Sequence, residues 1–289
     1  MSKPRSNGRK ATPLPVVLLI LAVVIFTYFQ TQQERFTPVD GMLYVHFIDV
    51  GQGDSILITT DDEAMLIDTG ESEYAQTVID YLDSIGVTEL TYAVATHPHS
   101  DHMGGMAKVI NAIPIETFIA PDAVNTSSAF DKMLTALEKN KLQITVPTLG
   151  ETFKLGSATL TALVPQNIPS EDLNNQSVVF RLDFGYTSLL LTGDAETAAE
   201  AEMLASGIDL DCDVLKVGHH GSRTSSSEAF LAAISPDLAI ISCGKDNSYG
   251  HPHSEIVKRL KAQGIPFRQT DKEGTIILVS DGQSFADAQ

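Results

Sequence analysis

The stretch His97-Pro98-His99-Ser100-Asp101-His102 packs three imidazoles and a carboxylate into six residues, directly after the apolar segment Leu90 to Ala95. The segment predicts a buried strand, and a tight loop at its end can turn neighbouring side chains toward one point. Imidazoles and carboxylates are the ligands that zinc and similar divalent ions accept. Gly104-Gly105 follows at once and permits a close backbone approach. A histidine-rich surface loop is the alternative, but the pattern favours a metal site.

Alternation along this stretch divides the side chains into two groups. His97 and His99 can contact one ion while Asp101 and His102 contact a second ion a few ångströms away. Paired ions of this kind hold the attacking and the leaving oxygen during hydrolysis. The spacing therefore predicts a dinuclear centre that supports hydrolytic chemistry.

Further motifs surround this stretch, in the order His46–Ser55 (HFIDVGQGDS), Asp68-Thr69-Gly70, Leu191–Asp194 (LTGD), Lys216–Ser222 (KVGHHGS) and Tyr249–His253 (YGHPH). An HxHxDH motif after a strand, preceded by Asp-Thr-Gly, resembles the metallo-β-lactamase superfamily. The whole set resembles the lactamase-like domain of ComEC-type competence proteins, over about residues 42–280. Such a set is specific for the subfamily and much less specific for the substrate.

Two parts of the chain repeat one plan. A predicted hairpin over residues 55–67 leads to Asp68, a helix over 74–85 and a strand that ends at the histidines. A second hairpin over 177–192 leads to Asp194, a helix over 197–205 and a strand over 213–217 that ends at His219-His220. This repeat predicts two mixed sheets stacked between outer helices. The resemblance implies the same fold, a four-layer αββα sandwich with its site along one edge.

The resemblance also implies a ligand set for two divalent ions, with zinc expected and manganese possible. By similarity, the ligands are His97 and His99 for the first ion, Asp101 and His102 for the second, Asp194 as the bridge, and His220 as the last ligand of the second ion. His219 is the alternative to His220 as this ligand. If His220 is the ligand, His219 is expected to support the ligands without binding an ion itself. Asp68 is interpreted as an orienting acceptor for the ligand histidines.

One departure from the commonest family pattern concerns the first ion. Many members supply a third histidine shortly before the bridging acid, but the segment here is Leu173–Ser177, which contains none. We therefore expect a weaker first site or one suited to a harder ion such as manganese. Asn175 is expected to orient a water molecule or a substrate phosphate oxygen, and a simple turn built from asparagines is the alternative.

Catalytic roles are assigned to Asp101, in addition to its role as a ligand, and to His251. A leaving alkoxide needs a proton, which His251 of the Tyr249–His253 loop is expected to supply. A purely structural loop histidine is the alternative. Ser222 and Arg223 follow His220 closely enough to contact a phosphate, while Ser225–Ser227 can cap the next helix.

The N-terminus predicts a membrane anchor. Four cations (Lys3, Arg5, Arg9 and Lys10) precede an uncharged span over residues 11–33 that would form a helix of about 34 Å, enough to cross a hydrocarbon core of about 30 Å. We assign residues 1–12 to a cytoplasmic tail, 13–30 to a single-pass signal anchor, 31–41 to a linker and 42–282 to an extracytoplasmic domain. A cleaved signal peptide, and thus a secreted protein, is the alternative.

The chain is acidic, which bears on its partners. Its net charge is −18, and because four of the 19 cations and no acids precede residue 31, the rest carries −22. Such a surface repels polyanions, so tight processive DNA binding is not expected. The metals and the cations Lys216, Arg223 and Lys245 are expected to reverse the sign locally. Cys212 and Cys243 are interpreted as a disulfide or as buried free thiols.

Together these features predict a membrane-anchored metallohydrolase outside the cytoplasm. The resemblance to competence proteins suggests a phosphodiesterase or nuclease that acts on DNA. The first alternative is a phosphodiesterase for small molecules or envelope polymers such as phosphorylcholine esters, which the acidic surface favours. The second is a non-catalytic binding or accessory module, against which the intact ligand set argues. Protein partners are not predicted.

Overall fold

The computed structural model describes residues 38–169 and 171–288 as two β-sheets that pack face to face, with helices on both outer surfaces. The predicted cytoplasmic tail and signal anchor lie outside the described residues. Within the described ranges, no helix has both the length and the apolar character needed to cross a membrane.

One sheet contains eight strands among the described residues, and the other contains seven. The first sheet is built from β1 (Leu43–Phe47), β2 (Ile56–Thr59), β3 (Ala64–Ile67), β4 (Leu90–Val94), β5 (Ile115–Ile119), β6 (Ile144–Thr145), β14 (Ile276–Ser280) and β15 (Phe285–Asp287). The second is built from β7 (Thr152–Leu155), β8 (Ala158–Ala162), β9 (Phe180–Phe184), β10 (Thr187–Leu191), β11 (Val214–Lys216), β12 (Leu238–Ile241) and β13 (Phe267–Gln269). Their spatial orders are β15-β14-β1-β2-β3-β4-β5-β6 and β13-β12-β11-β10-β9-β8-β7.

Helices cover the outer faces of the two sheets. They are α1 (Ala75–Ser84), α2 (Ser100–Met103), α3 (Met106–Ala112), α4 (Ser128–Asn140), α5 (Thr197–Ala205), α6 (Glu228–Ile234), α7 (Ser254–Ala262) and α8 (Thr270–Glu273), with a 3₁₀ turn at Gly218–Gly221. The helices from α1 to α4 accompany the first sheet, and those from α5 to α7 accompany the second.

The core forms three apolar layers because side chains alternate along the strands. Met65 and Ile67 of β3 lie in the layer between the sheets, while Leu66 faces the first group of helices. In the same way Leu189 lies between the sheets and Leu190 faces the second group of helices. The predicted αββα sandwich is therefore confirmed for the described residues.

The predicted repeat is present in both sheets. β2 and β3 are antiparallel and β4 is parallel to β3, whereas β9 and β10 are antiparallel and β11 is parallel to β10. Asp68 follows β3 and Asp194 follows β10 at equivalent places. The ends of these parallel strands carry the acidic and histidine loops to one edge of the sandwich.

The strands are shorter than the apolar segments at two places. Of the apolar residues 43–50, only Leu43–Phe47 form β1, and the chain then turns through Gly51 and Gly53, both with positive φ. The strand predicted from Ser177 begins at Phe180. Val178 instead donates its N–H to the carbonyl oxygen of Thr96 at 2.9 Å, which ties this segment to the histidine loop of the other sheet.

Candidate metal centre

The loop after β4 carries the HxHxDH histidines and is packed tightly against its neighbours. A Cβ on Gly53 would overlap the carbonyl oxygen of Asp101, and a Cβ on Gly105 would lie 2.9 Å from the carbonyl oxygen of Thr69. Glycine is therefore needed at both places. The close approach that Gly104-Gly105 predicts is present, and it fixes the short helix α2 that carries Asp101 and His102.

The loop after β11 presents two consecutive histidines in an unusual conformation. His219 has a φ of 46° and His220 a φ of 53°, so both lie in the left-handed region, which costs of order 1–3 kcal/mol for a residue with a side chain. The N–H of His219 bonds the carbonyl oxygen of Gly193 at 3.2 Å. This turn brings both imidazoles beside the buried carboxylate of Asp194.

Asp194 is the centre of the cluster. Its Oδ1 lies 3.1 Å from His102 Nε2 and 3.6 Å from His220 Nε2. Its Oδ2 lies 3.7 Å from both His97 Nε2 and His219 Nε2. Each carboxylate oxygen thus faces two imidazoles, which is the arrangement expected of a bridge between two ions.

In two of the imidazoles, the Nδ1 nitrogen is hydrogen-bonded to an acceptor oxygen. His102 Nδ1 lies 2.7 Å from Asp68 Oδ2, and His220 Nδ1 lies 3.0 Å from the carbonyl oxygen of Ser242. Each Nδ1 therefore carries a hydrogen, as in ligand histidines generally. The two Nε2 atoms lie 3.2 Å apart beside Asp194 Oδ1, an oxygen without a hydrogen-bond partner. Once the two imidazoles lose their Nε2 protons, their lone pairs and the carboxylate converge in a way that fits a divalent cation.

A second group of nitrogens converges on the other oxygen of Asp194. His97 Nε2 lies 3.0 Å from His99 Nδ1, and His97 Nδ1 lies 3.2 Å from Thr96 Oγ1. His219 Nδ1 lies 2.8 Å from Glu196 Oε1, which leaves His219 Nε2 turned toward Asp194. His219 Nε2 and His97 Nε2 thus face the same oxygen of Asp194, on the side expected for the first ion.

Asp54 and Lys216 form a buried ion pair beneath the cluster. Asp54, His102, Asp194 and His220 each place one possible ligand atom within 4.8 Å of the others. However, Asp54 Oδ1 lies on the Nδ1 side of His220, at 3.3 Å, and its Oδ2 lies 2.8 Å from Lys216 Nζ. Asp54 therefore acts on His220 through its charge, because Ser242 already accepts from that Nδ1 and Asp54 Oδ1 has no hydrogen-bond partner.

The expectation that Lys216 offers positive charge to a substrate is wrong, because its side chain is fully buried on Asp54 and donates to the carbonyl oxygen of Val217. Sequence analysis missed Asp54 as its partner. The available signal is the charge itself, since a lysine inside a buried strand needs a paired acid.

The pKa values of His97 and His220, one from each group of histidines, are shifted in opposite directions. Burial and the neighbouring His102 hold the pKa of His97 well below its usual value. Burial also opposes protonation of His220, but the carboxylates of Asp194, Asp101 and Asp54 outweigh it and raise its pKa to about 9. Burial favours the neutral form of Asp54, but Lys216, His220 and His102 together outweigh it and lower the pKa of Asp54 to about 2. The centre therefore keeps its acids charged and suits cations.

The amide of Asn175 makes three hydrogen bonds within the fold. Its Oδ1 accepts from the N–H groups of Glu196 and Ala199 at 2.9 and 3.0 Å, and its Nδ2 donates to Asp172 Oδ2 at 2.8 Å. It caps the N-terminus of α5 from a distant segment. Its contact with water or a phosphate oxygen stays a prediction, which would use the second hydrogen of Nδ2.

The residues after His220 differ in exposure, since some are buried in the fold and others lie at the surface. Ser222 is buried, and its Oγ lies 2.9 Å from Thr224 Oγ1. Arg223 is exposed, with its guanidinium 3.8 Å from Glu255. Ser227 caps α6 by accepting from the N–H of Phe230, which confirms the capping alternative for the serine run. Cys212 and Cys243 are buried free thiols.

The loop between β12 and α7 places His251 next to the cluster. Its ring centre lies 5.5 Å from that of His219 and 6.1 Å from that of His220. Its Nδ1 lies 3.5 Å from the side-chain amide of Gln52. Burial and the charge of His220 lower the pKa of His251 to about 4, so the ring is neutral at neutral pH.

Comparison with known proteins defines the class. The family model of the metallo-β-lactamase superfamily matches residues 48–245, and the chain belongs to this superfamily. Solved structures agree on the fold. A metallo-β-lactamase fold protein, YhfI from Bacillus subtilis, matches with a TM-score of 0.56 at 11% identity, covering 83% of this chain and 100% of that one.

Similar curated proteins identify the subfamily. ComE operon protein 3 of Bacillus subtilis is 30% identical over 92% of this chain, and Recombination protein 2 of Haemophilus influenzae is 34% identical over 96%. Competence protein ComA of Neisseria gonorrhoeae is 30% identical over 92%. The chain spans only 39%, 33% and 39% of these relatives. The resemblance to the lactamase-like domain of ComEC-type proteins is confirmed.

Proposed function

We propose that the protein is a metal-dependent phosphodiesterase that acts on DNA. The observation that carries this proposal is the convergence of His102 Nε2, His220 Nε2 and the unbonded Asp194 Oδ1, all in buried residues. Divalent ions held there would polarise a phosphodiester and lower the pKa of a water molecule. The names of the similar competence proteins support DNA as the substrate.

The chain's own residues then have separate tasks. Asp194 would help to hold both ions, together with His97, His99 and His219 in one group and Asp101, His102 and His220 in the other. Asp68, Ser242 and Glu196 would keep the imidazoles in the required tautomers. The intact set argues against a non-catalytic accessory module.

His251 is proposed to assist the leaving oxygen. Because Gln52 faces its Nδ1, the ring hydrogen belongs on Nε2, and a neutral ring would act as a hydrogen-bond donor. His251→Ala should slow turnover of substrates with poor leaving groups by about 10²-fold and spare activated nitrophenyl esters. Metal content should stay unchanged. Loss of a metal, or equal slowing of both substrate types, would contradict this role.

The test of the proposed function is a substrate panel. The full-length protein, loaded with Mn²⁺ or Zn²⁺, should hydrolyse single-stranded DNA and bis-p-nitrophenyl phosphate, and Asp194→Asn should abolish both activities. Phosphorylcholine esters belong in the panel because the charge of −22 after residue 30 disfavours polyanions. Preferential turnover of choline esters would establish the small-molecule alternative, and no turnover would support an accessory module.

The anchor is part of the proposal and rests on the sequence before residue 34. We propose a cytoplasmic N-terminus, a single-pass helix and an extracytoplasmic catalytic domain. Protease added to intact cells should digest the domain, while residues 13–30 should remain attached to it before digestion and be recovered in the membrane fraction. A mature chain that starts after residue 25 would show cleavage and a secreted protein.

A further inference from the structure

Tyr249 is a large aromatic side chain next to His251, which contacts the histidines of the metal centre. It is 64% exposed, and its ring is stacked on the ring of His251 with a centre-to-centre distance of 5.6 Å and an interplanar angle of 19°. His251 in turn contacts the rings of His219 and His220. One face of Tyr249 is therefore covered by His251, and the other is open to solvent beside the site.

Hydrogen bonds of the Asn247 side chain fix the backbone of the loop that carries Tyr249. Asn247 Nδ2 donates to the carbonyl oxygens of Gly244 and His251 at 2.8 and 2.6 Å. Its Oδ1 accepts from the N–H groups of Tyr249 and His251 at 3.2 and 3.0 Å. One side chain thus fixes the backbone from which the exposed aromatic ring projects.

The C-terminal end of the loop, at Pro252 and His253, is also fixed by contacts. A Cβ on Gly221 would lie 2.7 Å from Pro252 Cβ, so the loop packs directly on the histidine turn. His253 donates its N–H to the carbonyl oxygen of Gly221 at 2.9 Å and accepts from the N–H of Arg223 at 3.0 Å. The ring of Tyr249 is therefore preorganised relative to the ligand histidines, which lowers the entropic cost of binding.

Charge decides which part of a nucleic acid such a ring can bind. The domain repels phosphates, since the chain after residue 30 carries −22. The adjacent exposed charges of Lys245 and Asp246 cancel each other. Stacking on a base face needs no positive charge, and it contributes about 1–3 kcal/mol per base.

We propose that Tyr249 is a stacking platform for the unpaired base next to the scissile phosphate, so that the site selects single-stranded DNA. This inference rests on the proposed phosphodiesterase function and adds the determinant of its substrate class. A base paired within a duplex has both faces stacked and cannot use the platform. The His251–Tyr249 stack would then be extended by the base, with the phosphate at the ions.

The test compares two ligands and three variants of the full-length protein. Binding of fluorescein-labelled oligothymidylate and of a base-free tetrahydrofuran oligomer is followed by anisotropy with Ca²⁺, and hydrolysis of both with Mn²⁺. Tyr249→Ala should weaken binding of oligothymidylate, and lower its kcat/KM, by about 5- to 100-fold. The base-free oligomer should be unaffected, and Tyr249→Phe should behave like the wild type.

The control is Tyr186→Ala. Tyr186 is 83% exposed and precedes β10, whose other end leads to Asp194, so it is an exposed tyrosine remote from the site. The inference is overturned if Tyr249→Ala equals Tyr186→Ala, or if both ligands weaken alike. It is also overturned if only phosphorylcholine esters respond to Tyr249→Ala. A wild type that prefers oligothymidylate in binding but hydrolyses neither ligand would refute the phosphodiesterase and leave the platform supported.

Discussion

Asp68 and Asp194 occupy equivalent places in the two halves of the domain and do different things. Each follows the second strand of an antiparallel hairpin, and each precedes a helix and a parallel strand that ends at histidines. Asp68 accepts from Thr96 N, Thr96 Oγ1 and His102 Nδ1 at 2.8, 2.6 and 2.7 Å. Asp194 Oδ1 has no hydrogen-bond partner and faces two imidazoles. The same structural unit therefore supplies a carboxylate that orients a ligand histidine in the first half and, in our proposal, the carboxylate shared by the two ions in the second.

The comparison predicts its largest effect at Asp194. Asp194→Asn keeps the shape of the side chain but removes the charge shared by both ions, so activity should fall by about 10³-fold or more. Metal content should fall with it. The measurement is kcat/KM for bis-p-nitrophenyl phosphate together with metal analysis of the same sample. Full metal content in this variant would contradict the bridging role.

Asp68→Asn should have a smaller effect, because it perturbs a ligand through hydrogen bonds and leaves the ligand in place. The expected loss of activity is about 10- to 100-fold, the usual range for such partners. The same assay serves, and raising the metal concentration should restore part of the activity. Equal losses from Asp68→Asn and Asp194→Asn would mean that the two halves play the same part.

Metal affinity should depend on pH through His220 of the second half. In metal-free protein the pKa of His220 is about 9. Burial of His102 is outweighed by the carboxylates of Asp194 and Asp68, which raise its pKa as well, so both imidazoles must lose a proton to bind an ion. Affinity should rise by at least about tenfold per pH unit from pH 7 to about 9. Titration with Zn²⁺ and a competing chelator measures this slope. A flat profile in the wild type would show that His220 stays outside the metal shell.

The smallest effect concerns how the two helices after the acids begin. α5 has its first N–H groups capped by Asn175 from a distant segment, whereas α1 has no side-chain cap. Asn175→Ala should lower the free energy of unfolding by about 1 kcal/mol in urea denaturation. Asn174→Ala is the control, since its hydrogen bonds are long, at 3.4 Å. Equal stability of the two variants would contradict the capping role.

The repeat explains why much of this domain is predictable from sequence. Hairpins, acids and histidine loops recur in order, and the helix predicted over 197–205 is observed with those bounds. Local patterns do not show contacts between distant segments. The antiparallel pairing of β14 with β1 joins the two ends of the domain. The sequence of neither strand indicates which strand it pairs with.

The same limit applies to the candidate site. Lys216 is a residue whose partner, Asp54, lies 162 positions earlier, so the pair exists only after the sheets have packed. The turn of His219 toward Asp194 depends on two left-handed residues in succession, which histidine alone does not predict. Glu196, which holds His219, has no distinguishing pattern around it.

Metal stoichiometry tests the central claim most directly. The claim is that nitrogens from both halves converge on Asp194 to hold two divalent ions. Inductively coupled plasma mass spectrometry of the full-length protein, equilibrated with Mn²⁺ or Zn²⁺ and freed of excess, should give two ions per chain, and His220→Ala should give one. A wild type that retains no ion, or a His220→Ala variant that retains both, would contradict the claim.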